Sequence, residues 1–162
     1  MRILALDLAT KTGYALGDEK GILTSGTAKF EVKKFEGAGM RYLKFGNWLR
    51  DFVEGWKPDV VYFEGIRRHL GVDAAHVYGG LMATMQAILE HWRVPYSALT
   101  VQEIKKLATG KGNAKKDAMI ATAKAKWSDI EIVDDNHADA LWILEAARAE
   151  HKANPTPVED LL

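Results

Sequence analysis

The chain has no cysteine among its 162 residues. That excludes a disulfide framework and any zinc site built on thiolates. It also has no net charge, since 22 Lys and Arg balance 22 Asp and Glu. No global field therefore marks a nucleic-acid partner, and any basic surface must be local. No apolar run approaches the roughly 18 residues of a membrane span. The N-terminus lacks a basic segment followed by an apolar core, so no signal peptide is expected. A cytoplasmic location is the expectation, with no membrane partner. There is no internal repeat, no Ser/His/Asp set and no Rossmann glycine fingerprint. Gly110-Lys111-Gly112 lacks the spacing and the following Ser or Thr of a Walker A loop.

What is present is an ordinary globular composition, 48% hydrophobic and 27% charged. A chain this long buries roughly two-thirds of its unfolded surface. We expect one domain over 1–151 and a loose tail over 152–162, where Pro155 and Pro157 prevent a helix. Arg2–Asp7, Gly13–Gly17 and Ile22–Phe30 read as three strands of an antiparallel meander, with the first turn at Lys11-Thr12-Gly13. Tyr42, Phe45, Leu49, Phe52, Val53 and Trp56 then recur at helical spacing up to Pro58. Asp59–Glu64 and Val94–Leu99 read as strands on either side of a helix over Ala74–Trp92. Thr100–Ala108 is a short helix. Asn113 is the expected N-cap of the next one, and Asp135 or Asn136 that of the last. The fold class is α/β, a mixed five-stranded sheet flanked by helices, with its first three strands antiparallel.

Three acids fall at telling places. Asp7 closes the first strand, Glu64 closes the fourth, and Asp139 lies early in the last helix. A carboxylate at the end of a buried strand is costly unless a cation offsets it. Two Mg²⁺ ions, roughly 3.5–4 Å apart and held by hard oxygen ligands, need such a set on rigid elements to hydrolyse a phosphodiester. Taken singly, each acid also reads as a capping or solvated residue. For a fourth ligand, Asn136 or Asp135 shares the helical face of Asp139, and His137 stays open where the helix begins.

These segments resemble the RuvC Holliday-junction resolvases. Asp7-Leu8-Ala9-Thr10-Lys11-Thr12-Gly13-Tyr14 is similar to the family's first motif, and Val60-Val61-Tyr62-Phe63-Glu64 to its second acid. Gly79-Gly80 falls where the family has small residues on its central helix. Asn136-His137-Ala138-Asp139-Ala140-Leu141 resembles the final acid-Ala motif in its phage and prophage variant. The resemblance implies an RNase H-like fold, a homodimer, Mg²⁺ or Mn²⁺ dependence and cleavage of four-way or other branched DNA. It makes Asp7, Glu64 and Asp139 catalytic metal ligands and brings Lys105 and Lys116 to backbone phosphate. Asn136 departs from the usual Asp or His at its place. Arg67, Arg68 and His69 stand where the family often has an aromatic wedge, and they can stack on bases as well as grip phosphate.

The bases are clustered in spite of the neutral total. Arg67, Arg68 and His69 follow Glu64, and Lys105, Lys111, Lys115 and Lys116 crowd the segment before the last helices. That is the local charge a phosphate-contacting surface needs. Trp48, Trp56, Trp92 and Trp142 lie in helical segments and read as core or dimer-interface anchors, with the helix over 78–92 as the candidate interface. Three other readings stand beside the resolvase: a nuclease of the same fold acting on RNA or flap DNA, a catalytically weak branched-DNA-binding protein, and an ATP-binding module for which the chain is too short.

Overall fold

A computed structural model describes residues 1–65 and 71–153. The sheet has the strand order β3-β2-β1-β4-β5, with β1 Ile3–Asp7, β2 Lys11–Gly17, β3 Ile22–Lys29, β4 Val60–Gly65 and β5 Tyr96–Thr100. β1, β2 and β3 pair antiparallel, whereas β4 and β5 run parallel to β1. This is the mixed five-stranded sheet expected. The helices are α1 Met40–Trp56, α2 Val72–Trp92, α3 Val101–Thr109, α4 Lys116–Lys126 and α5 Asp135–Ala153. Among the described residues no helix is long and apolar enough to cross a membrane.

β1 is the centre of the molecule and is buried along its whole length. Its alternate side chains serve two cores. Ile3 and Ala5 pack with Leu141, Trp142 and Leu144 of α5. Leu4 and Leu6 pack with Phe45 and Leu49 of α1 and with Leu81 and Met85 of α2. A strand covered on both faces needs an unbroken apolar run, and Ile3-Leu4-Ala5-Leu6 supplies it. Trp48 joins Tyr14, Phe30, Phe45 and Phe52 in one aromatic cluster. Trp142 is buried edge-on against Trp127 and donates its indole N–H to the Met119 carbonyl. Trp56 and Trp92 remain partly exposed.

Local boundaries depart from the expectation in three places. β2 begins at Lys11, so Lys11-Thr12-Gly13 is strand and the connection is Leu8-Ala9-Thr10. Thr12 tolerates full burial because its hydroxyl donates to the Ala9 carbonyl at 2.7 Å, closing the turn behind it. Asn113 does not cap α4; it lies within a turn closed by Ala114 N–H to Lys111 O, and the N-cap is Lys115. Neither Asp135 nor Asn136 caps α5. Asp134 does, because a partner distant in sequence holds its carboxylate at the helix start. α1 stops at Trp56, with Lys57 left-handed (φ 50°) ahead of Pro58.

Candidate active site

The topology places the carboxylates. β1 and β4 are adjacent and parallel, with Leu6 opposite Phe63, so the strands deliver Asp7 and Glu64 side by side at one end of the sheet. β5 continues the register, Glu64 lying opposite Leu99 and Gly65 opposite Thr100. Asp139 comes from α5, whose first turns cross β1 and β2. That crossing is close at one point. Asp7 pairs with Gly13 across β1 and β2, and a methyl built at Gly13 would overlap the Asn136 carbonyl group. Only hydrogen at that Cα lets the start of α5 lie on the sheet directly beside Asp7.

A polar tether fixes the same helix end. Asp134 Oδ1 accepts from the Thr27 hydroxyl at 2.6 Å and from the His137 backbone N–H at 2.9 Å. Thr27 of β3 lies opposite Gly13 of β2, so Asp7, Gly13 and Thr27 form one row across the sheet. Burial works against the Asp134 charge, but the bonds from Thr27 and His137 hold its carboxyl below the usual range. Asp134→Ala removes both the cap and the tether. We expect a loss of about 1–2 kcal/mol, read by urea denaturation, with a smaller loss for Thr27→Val.

His137 is buried beneath this turn. Its Nε2 lies 2.8 Å from Ser25 Oγ on β3, and its Nδ1 accepts from the Val133 N–H at 3.4 Å. Burial lowers its pKa, against the pull of Asp134, and favours the neutral Nε2–H ring that this geometry uses. Both ring nitrogens of His137 are thus engaged at the helix start, with Ser25 and with the Val133 backbone.

The acids crowd one another. Asp7 is only 9% exposed. Burial, then the charges of Asp139, Glu64 and Asp135, push its carboxyl well above the usual range, and Lys116 opposes them. Burial and the charges of Glu64 and Asp135 raise Asp139 to about 7. Burial raises Glu64, with Lys105 of α3 opposing. Lys116 forms an ion pair with Asp135, and the charges of Asp135, Asp139 and Asp7 raise its pKa. The structure thus brings Asp7, Glu64, Asp139, Asp135, Lys105 and Lys116 into one electrostatic group. Asn136 sits at the Gly13 crossing. Lys115 is the N-cap of α4, and Lys111 lies in the preceding loop, both exposed. Arg67, Arg68 and His69 lie outside the described residues. The sequence reading missed Asp134, Thr27 and Ser25; an acid directly before the last helix was the one available signal for Asp134.

A cluster of carboxylates that burial and mutual repulsion drive toward protonation is short of positive charge. Its donors are hard oxygens, which suit Mg²⁺ or Mn²⁺. Among the described residues, no three acidic or imidazole groups already converge as one ion's cage. The donor chemistry fits a divalent cation.

No family model matches the sequence, and no curated protein matches it significantly. Solved structures do match in fold. A Thermus thermophilus RuvC in complex with a Holliday junction substrate superposes with a TM-score of 0.81 at 18% identity, covering 94% of this chain and 96% of that one. The yeast mitochondrial Holliday junction resolvase gives 0.61 at 17%, covering 99% and 84%. A fowlpox virus resolvase bound to Holliday junction DNA gives 0.61 at 13%, covering 93% and 99%. The chain has the RNase H-like fold of these proteins, over nearly its whole length.

Proposed function

We propose that the chain is a RuvC-type, metal-dependent endonuclease that cuts four-way or otherwise branched DNA. The observation that carries this reading is the buried acidic group at the end of β1 and β4, completed by α5, on a fold shared with junction resolvases. Asp7, Glu64 and Asp139 are the metal ligands of this reading, with Asp135 or Asn136 completing the set. Bound divalent cations supply the Lewis acidity that activates water and offsets charge on the phosphate. The chain's own residues supply the rest. β1 and β4 fix two ligands on adjacent strands, and the α5 tether fixes the third. Lys105 and Lys116 present ammoniums beside the carboxylates, where a scissile phosphate needs positive charge. Lys111 and Lys115 extend the phosphate-gripping surface, and Arg67, Arg68 and His69, outside the described residues, are further candidate DNA contacts. Cleavage leaves a 5′-phosphate and a 3′-hydroxyl. A homodimer would set two such sites on two strands of a junction.

The test is nicking of a synthetic immobile four-way junction by purified protein in Mg²⁺ or Mn²⁺. Paired, symmetric cuts support the proposal. Cleavage confined to RNA or to flap DNA overturns it in favour of those substrates, and binding without cutting in either metal leaves a branched-DNA-binding protein.

The raised acids also predict how metal binding depends on pH. A ligand must be deprotonated to bind. With Asp139 near 7 and Asp7 and Glu64 also raised, Mn²⁺ affinity measured by calorimetry should rise at least about tenfold per pH unit below pH 7. In the metal-free protein the sign for stability is the opposite. A carboxyl raised on folding binds more protons folded than unfolded, so stability falls as pH climbs from about 4 to 7.

A further inference from the structure

One apolar side chain has no packing role. Phe35 is 92% exposed, the most exposed large hydrophobic among the described residues. It sits at the third position of a four-residue turn, Lys33-Lys34-Phe35-Glu36, closed by Glu36 N–H to Lys33 O at 3.0 Å. Turn apices favour Gly, Asn, Asp and Ser, and an exposed phenyl there gains nothing for folding.

The turn is held firmly from below. Glu36 Oε2 accepts from the Lys33 N–H at 2.8 Å and from Lys44 Nζ at 2.7 Å, and Lys44 also donates to the Glu31 carbonyl at 3.0 Å. Arg41 donates to Phe30 O, and the Phe30 N–H donates to Thr10 O at 2.8 Å. The charge of Glu36 is thereby occupied, while Lys34 Nζ stands 5.5 Å from the Phe35 ring centroid. Residues 29–44 carry five cationic side chains against two acidic ones. Lys29 also lies directly opposite Lys11 across β2 and β3, a like-charge pair that the sheet tolerates at a cost.

The position of the turn gives these features a use. β3 ends at the same end of the sheet where β1 delivers Asp7. Two strand spacings separate β3 from β1, roughly 10 Å. An exposed aromatic flanked by lysines, on a held turn in the loop that leaves β3 at the acids' end of the sheet, matches a base-stacking platform with phosphate grips.

We infer that Phe35 stacks on an unpaired or unstacked base at the branch point of the DNA, while Lys33, Lys34, Lys29 and Lys11 hold the flanking phosphates. This inference rests on the branched-DNA reading above and adds a wedge on the loop between β3 and α1, far in sequence from Arg67 and Arg68.

The experiment uses an immobile four-way junction with 2-aminopurine beside the branch point, in Ca²⁺ to prevent cutting. Wild-type protein should change the 2-aminopurine fluorescence on binding. Phe35→Ala should abolish that change and weaken junction binding by about 5- to 100-fold, with duplex binding and melting temperature unaltered. Phe35→Trp should restore both signals. Should Phe35→Ala keep wild-type affinity and fluorescence, the stacking role is overturned and the branched-DNA reading stands. If wild-type protein does not bind the junction at all, the functional reading itself falls. If Phe35→Ala instead loses binding only to anionic phospholipid vesicles, the platform is a membrane contact and the inference is overturned.

Discussion

Asp7→Asn should lose at least roughly 10³-fold in junction cleavage and at the same time melt at a higher temperature in the absence of metal. The two effects have one cause. Asp7 lies almost enclosed, beside Asp139, Glu64 and Asp135, with Lys116 as the cation opposing them. Its carboxyl is raised on folding, so at neutral pH the folded state bears the cost of holding negative charges together. Asn keeps the shape and removes one charge. We expect a gain of about 1–3 kcal/mol in the metal-free protein at pH 8, a rise of roughly 3–10 °C in melting temperature. Two features should accompany the gain. It should shrink as pH falls toward about 4, below which the carboxyl is protonated folded or unfolded alike, and saturating Mn²⁺ should reverse it by stabilising the wild type alone. A variant that loses cleavage and stability together would mean that Asp7 is structural, its carboxylate satisfied within the fold.

Gly13→Ala should cost both stability and activity, although Gly13 contributes no functional group. The added methyl meets the Asn136 backbone carbonyl, an atom that no side-chain rotation can move, and lies 3.2 Å from Ala140 Cβ. The first turn of α5 must then lift from the sheet and take Asp139 with it. Overpacking against backbone costs roughly 2–4 kcal/mol, and a displacement near 1 Å at a positioned group costs on the order of 10²-fold in rate. Thermal melting and nicking measured on one sample test this. Normal cleavage in a folded Gly13→Ala protein would show that the position of α5 over β2 does not set the site. Gly13 has no positive φ in this structure, so its requirement is one of space.

The contrast between Asp7 and Asp134 shows what the sequence could reveal. An apolar run that ends in a carboxylate has a local signature, and both Asp7 and Glu64 have it. The periodicity that sets α5 places Asp139 on the helix as well. Asp134 has no such signature. Three successive residues there, Asp134-Asp135-Asn136, are all acceptable caps, and the choice among them is made by Thr27, 107 positions away on β3. The orientation of His137 depends likewise on Ser25, which no helical wheel contains. At β2, the hydroxyl of Thr12 turns a segment with loop chemistry into a buried strand. The turn carrying Phe35 was unread for a different reason: its phenyl follows neither a strand nor a helix period, and only its exposure distinguishes it.

The three acids come from residues 7, 64 and 139, and the helix that carries the last is held by a bond between Thr27 of the third strand and Asp134 at the helix start. A ribosome adding roughly 5–20 residues per second therefore completes the sheet seconds before the third acid arrives. Throughout that interval the chain carries two of the three acids and lacks the third. Non-local contacts of this kind slow folding. Here they also ensure that the three acids meet only in a chain that has folded through the start of its final helix.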